Sequence, residues 1–97
     1  MEIIVETFGA VGEPSSASLR VRPLPGQGFD TALRVECSRP MRQGYPVGQR
    51  FKLWVSLKYR EDGPLYLYSN YRRPWTAVSN EEAEKFIAET FRTRTLN

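Results

Sequence analysis

The chain has 97 residues, 40% hydrophobic and 26% charged, with one cysteine and no histidine. That length allows one domain (1–97) with one core, and the composition is that of a globular protein rather than a disordered tail. A single cysteine excludes an intramolecular disulfide. The missing histidine removes the commonest general base and the commonest zinc ligand together, so neither a metal site nor a cofactor is expected.

The net charge of +3 is unevenly placed. Residues 1–38 carry three arginines against five acids, and residues 76–97 carry three cations against four acids. The middle third, 39–75, carries eight cations against two acids, a net +6. Arginine outnumbers lysine eleven to three, a bias that suits phosphate, carboxylate and aromatic contacts, although a GC-rich genome would produce it too.

In chain order, "EIIVETF" (2–8) is rich in β-branched residues and reads as a strand ending at Gly9, followed by the turn-like "GAVGEPSS". Its apolar run Ile3-Ile4-Val5 lies between Glu2 and Glu6. It is far too short for a signal-peptide core or a membrane span, so a soluble, cytoplasmic protein without a membrane partner is expected. "ASLRVR" (17–22) alternates, "PLPGQG" (23–28) breaks regular structure, and "TALRVEC" (31–37) alternates again with Leu33, Val35 and Cys37 inward. No helix lies between these runs to make parallel crossovers, which argues for an antiparallel sheet or small barrel. "SRPMRQGYPVGQ" (38–49) reads as a long connection.

"RFKLWVSLKYR" (50–60) alternates strictly. On one strand, Phe51, Leu53, Val55, Leu57 and Tyr59 would form a hydrophobic wall. The other face would carry Arg50, Lys52, Lys58 and Arg60 around Trp54. A turn at "EDGP" leads to the partner strand "LYLYSNY" (65–71). Pro64 has no N–H to close a two-residue hairpin, which leaves a three-residue loop (62–64) or a four-residue loop (61–64). With three, Lys58 faces Tyr68, Arg60 faces Tyr66 and Trp54 faces Arg72, and Leu65 and Leu67 stay on the wall. With four, Tyr66 and Tyr68 turn to the wall. The three-residue loop is preferred.

The last element is a helix after "RPWTAV". Ser79 is its N-cap, Glu82 completes a capping box, and Val78 and Ala83 form a hydrophobic staple. Arg92 and Arg94 suit the negative helix end. Ala83, Phe86, Ile87, Thr90 and Phe91 share one face that must be buried. The expected architecture is α+β, with a five- or six-stranded antiparallel, strongly bent or barrel-like sheet and one C-terminal α-helix packed on it.

Arg50, Lys52, Trp54, Lys58, Arg60, Tyr66, Tyr68, Arg72 and Arg73 form the candidate binding surface, with Arg39 and Arg42 contributed by the 38–49 loop. Cations attract phosphates and exposed rings stack bases, so nucleic acid is the favoured ligand. A protein partner or a homodimer on the same aromatic residues is the alternative, since Trp, Tyr and Arg are common interface anchors. The plain structural reading is a solvated sheet face whose cations shield Trp54, with Trp75 packed beneath the helix. No enzyme is expected. Cys37 falls on the buried parity, Glu36 and Asp30 have nothing to pair them, and no phosphate-loop or RNA-recognition pattern is present.

Overall fold

The computed structural model describes residues 1–9 and 19–91. The turn expected at 9–16, the start of the 17–22 run and the expected role of Arg92 and Arg94 lie wholly or largely outside the described residues. Seven strands and two helices follow in the order β1 (Glu2–Gly9), β2 (Leu19–Pro23), β3 (Val35–Glu36), α1 (Arg39–Gln43), β4 (Arg50–Trp54), β5 (Ser56–Tyr59), β6 (Leu65–Tyr68), β7 (Trp75–Val78) and α2 (Asn80–Thr90). The fold is α+β with a C-terminal helix, as expected. The sheet is not one bent or barrel-like structure. Two open sheets form instead, one of four strands ordered β2-β1-β4-β7 and one of three ordered β3-β6-β5. Pairing is antiparallel except between β3 and β6, which run parallel.

The alternating stretch 50–60 explains the division. Phe51, Leu53 and Val55 are buried, yet Leu57 is 51% and Tyr59 79% exposed. The wall therefore stops at Val55. Trp54 is the last residue of β4 to pair with β1, opposite Glu2, and Leu53 pairs with Trp75 at the start of β7. Val55 N donates to Met1 O at 2.8 Å and Met1 N donates to Val55 O at 3.1 Å. Beyond that point neither neighbour extends further, so the backbone of 56–59 pairs with β6 instead. Unpaired backbone groups demand partners, and the chain changes sheets to find them.

Neither expected hairpin loop forms. Tyr59 pairs with Leu65 and Lys58 with Tyr66, leaving a five-residue connection, 60–64. Gly63 N donates to Arg60 O within it, and Pro64 has no N–H with which to continue the ladder. A slip of two residues preserves parity, so Lys58, Tyr66 and Tyr68 still share a face as the three-residue loop would have placed them.

Three layers result. The first core lies between the sheets: Ile3, Val5, Val21, Phe51 and Leu53 meet Val35 and Leu67, with Met41 of α1 and Val55 of the crossover. Within the expected 38–49 loop, α1 exists to deliver Met41, which is fully buried. The second core lies on the other face of the larger sheet, where Ile4, Leu24 and Val78 meet Ala83 and Ile87 of α2, flanked by Phe86 and Phe91. Burial on both faces is why Ile3-Ile4-Val5 is continuously apolar rather than alternating.

Helix α2 starts as its residues dictate. Ser79 Oγ accepts from Glu82 N at 3.1 Å, and Ser79 N donates to Glu82 Oε1 at 3.0 Å. The Ser79 backbone N–H first, and the Ser79 side chain second, hold the Glu82 carboxyl below its usual range. That contribution is present at neutral pH and fades as acid protonates the carboxylate. Trp75 is a correction. It packs on the inter-sheet core, edge-on to Phe51 at 5.7 Å and Tyr45 at 6.1 Å, not beneath α2.

β2 ends one residue too early to complete the ladder along β1, and Gln27 finishes it. Its Oε1 accepts from Ile4 N at 2.7 Å while its Nε2 donates to Ile4 O at 2.8 Å and Leu24 O at 3.0 Å. Gly26 and Gly28, at φ +88° and +85°, provide the left-handed turns that aim this side chain inward. Gln27→Ala leaves the Ile4 N–H unsatisfied in a sealed interior, while Ile4 O keeps Leu24 N at 3.1 Å, and should cost about 1–3 kcal/mol by chemical denaturation. Ser79→Ala removes only the cap and should cost about 1 kcal/mol, a fall in Tm of about 4–8 °C.

Candidate functional site

The nine candidate strand and hairpin residues do not form one surface. The structure divides them into three neighbourhoods, and each follows from the Val55 crossover and the helix on the larger sheet.

Arg50 and Lys52 lie on the α2 side. Arg50 Nε stands 3.9 Å from Glu6 Oε2, and the same carboxylate receives Arg22 Nε at 2.9 Å. Lys52 Nζ sits 5.5 Å from the centre of the Phe86 ring, in a hollow that also carries Glu82 and Glu89 of α2. Arg50 is thus held by Glu6, and Lys52 shares its hollow with two carboxylates and Lys85.

Trp54, Lys58, Tyr68 and Arg73 surround a shallow depression of about 160 Å³ at the crossover, with Met1, Val55, Ser56 and Asn70. Trp54 is 37% exposed, and the Arg73 guanidinium lies 5.4 Å from the centre of its ring. Arg72 stands alongside. Its backbone N–H is fixed by Asn70 Oδ1 at 2.9 Å, its Nε donates to Tyr71 Oη at 3.1 Å, and its guanidinium lies over the exposed Tyr71 ring. No carboxylate lines the depression among the described residues, and Glu2, the register partner of Trp54, does not line it. Tyr71 was missed as a candidate. Its place in the "NYRRPW" cluster of rings and arginines was the available signal.

Arg60, Tyr66 and Arg42 belong to a third place. Arg60 stacks 4.5 Å from the centre of the Tyr66 ring and forms an ion pair with Glu36. With Arg20, Arg34 and Arg42 they line a cavity of about 480 Å³ between β2, β3 and the 60–64 turn. Arg42 Nε is buried and has no hydrogen-bond partner among the described residues. An unsatisfied buried donor costs about 1–3 kcal/mol, more when charged. Arg39, at the exposed start of α1, does not join this lining.

Cys37 lines the same cavity and is half-buried rather than fully enclosed. Burial pushes its thiol up to about 11, against the opposing pull of the Arg42 charge. Asp30 caps its own turn, Oδ1 accepting from Ala32 N at 2.8 Å, and Glu36 is engaged by Arg60. Among the described residues no group of three or more His, Cys, Asp or Glu side chains could hold a metal ion, and no helix is long and apolar enough to cross a membrane. Comparison with family models, curated proteins and solved structures returns no match.

The raised Cys37 thiol makes a pH prediction. Its neutral form persists in the native state, whereas the unfolded chain ionises near 8.5. Stability should therefore fall as pH rises above about 8.5, since the unfolded state then binds fewer protons than the native one. Native-state alkylation by iodoacetamide should be slow at pH 7.5 and accelerate towards pH 11. Cys37→Ser should abolish the alkylation and flatten the alkaline slope.

Proposed function

We propose that the chain is a non-catalytic binding module that takes single-stranded nucleic acid on the face around Trp54. The observation that carries this reading is the juxtaposition of the partly exposed Trp54 and Tyr68 with Lys58 and Arg73 in a depression that no carboxylate lines among the described residues, with the exposed Tyr71 ring and Arg72 next to Arg73 in the chain. A flat basic surface with exposed rings suits stacked bases and a phosphate backbone better than it suits an enclosed substrate. Compared with the wider candidate surface, Arg50 and Lys52 drop out because Glu6, Glu82 and Glu89 lie beside them.

A second reading draws on a different feature. Strand β5 is an edge of its sheet, and Leu57, Tyr59 and Leu65 are 51%, 79% and 49% exposed on one side of the hairpin. An exposed edge with apolar side chains favours pairing with another protein strand, including that of a second copy.

Fluorescence of a Trp75→Phe variant reports Trp54 alone. Titration with a single-stranded oligonucleotide should quench it. Three phosphate contacts would make log affinity fall against log salt with a slope of about −2. Trp54→Ala should weaken binding about tenfold or more, the worth of one stacked base, and Lys58→Glu or Arg73→Glu should weaken it and flatten the salt slope. An affinity indifferent to salt and to these substitutions would remove the nucleic-acid reading. A concentration-dependent dimer in sedimentation, dispersed by Leu57→Lys or Tyr59→Lys, would establish the second.

A further inference from the structure

The cavity between β2, β3 and the 60–64 turn is distinct from the Trp54 depression, and the two share no lining residue. Its chemistry is also different. Arg34, Arg42 and Arg60 converge on a space whose described lining carries one carboxylate, Glu36, already engaged by Arg60, with Arg20 at its wall. Beyond that ion pair, Arg34 and Arg42 leave the described lining net positive, and like charges gather at a cost unless an anion relieves their repulsion. Arg42 supplies a second observation, because its Nε is shut away from solvent without an acceptor among the described residues.

We propose that this recess is a binding site for a compact phosphomonoester. Guanidinium forks match phosphate oxygens in pairs, which a lysine cluster does not do, and no lysine lines the cavity. A volume of about 480 Å³ holds a body larger than a free ion and far smaller than a folded partner. The walls around the cations are apolar or aromatic, from Val21, Val35, Pro64, Leu65 and Tyr66, and suit the carbon body attached to the phosphate. Cys37, whose thiol stays protonated at neutral pH, adds no negative charge to compete. The backbone there is fixed rather than free. Leu67 N donates to Arg34 O and Ser69 N to Glu36 O, both at 2.8 Å, so the β3–β6 pairing holds Arg34 and Glu36 in place before any ligand arrives.

The test uses the full chain at constant ionic strength, with calorimetry and backbone amide NMR, and three probes: pyrophosphate, ribose 5-phosphate and ribose. Both phosphates should bind saturably with shifts at Arg34, Val35, Glu36, Cys37 and Tyr66, whereas ribose should not bind. Arg42→Gln should weaken both at least tenfold. Arg42 is partly buried, so Arg34→Gln, at an exposed position, provides the same loss without risk to the fold. Arg73→Glu, at the Trp54 depression and not in the cavity lining, should leave these affinities unchanged. Failure of both phosphates to saturate, equal binding of ribose, or affinity untouched by Arg34→Gln would overturn the proposal. A loss with Arg73→Glu as large as that with Arg34→Gln would also overturn it, by placing the phosphate at the Trp54 depression.

Discussion

The backbone switch at Val55 is the constraint on which the rest of the molecule depends. One extended segment serves two sheets, because its neighbours on the first side end beside it and the freed N–H and C=O groups must pair elsewhere. Val55 itself stays buried between the sheets, tied to Met1 by two backbone hydrogen bonds. Within this segment Phe51 and Leu53, before the switch, are buried, whereas Leu57 and Tyr59, after it, are largely exposed.

That switch also sorts the basic residues. Where the larger sheet is roofed by α2, Arg50 lies by Glu6, and Lys52 stacks over Phe86 in a hollow shared with Glu82, Lys85 and Glu89. Past the switch, Lys58 and Arg73 line a depression with Trp54 and Tyr68 that has no carboxylate among the described residues, and Arg72 lies over Tyr71. At the far side of the hairpin, Arg60 turns back over Tyr66 and joins arginines from β2, from beside β3 and from α1. A net charge of +6 over one stretch of chain thus becomes three electrostatic environments. Only neighbours distant in sequence decide which cation belongs to which.

Burial of the larger sheet on both faces raises the demand for complete hydrogen bonding, and Gln27 meets it with a side-chain amide that imitates the missing β2 backbone. The glycines of "PLPGQG" serve this contact. The same economy appears at the 44–49 turn, where Gly48 N donates to both the carbonyl and the hydroxyl of buried Thr7. Loops in this protein close ladders as well as connecting strands.

Local chemistry was legible in the residues themselves. The capping box of Ser79 and Glu82, the buried stripe of α2, the strand at 2–8, the extended alternation over 50–60 and the shared face of Lys58, Tyr66 and Tyr68 all follow from spacing, because each depends on neighbours within a few positions or on a period of two. The crossover at Val55, the five-residue turn, the parallel pairing of β3 with β6 and the gathering of Arg20, Arg34, Arg42 and Arg60 did not follow. They depend on where partner strands end and which segments meet across long sequence separations. A periodic pattern says which side chains share a face; only the packed chain decides what that face meets, and so whether its charge is neutralised, exposed to solvent or drawn into a cavity.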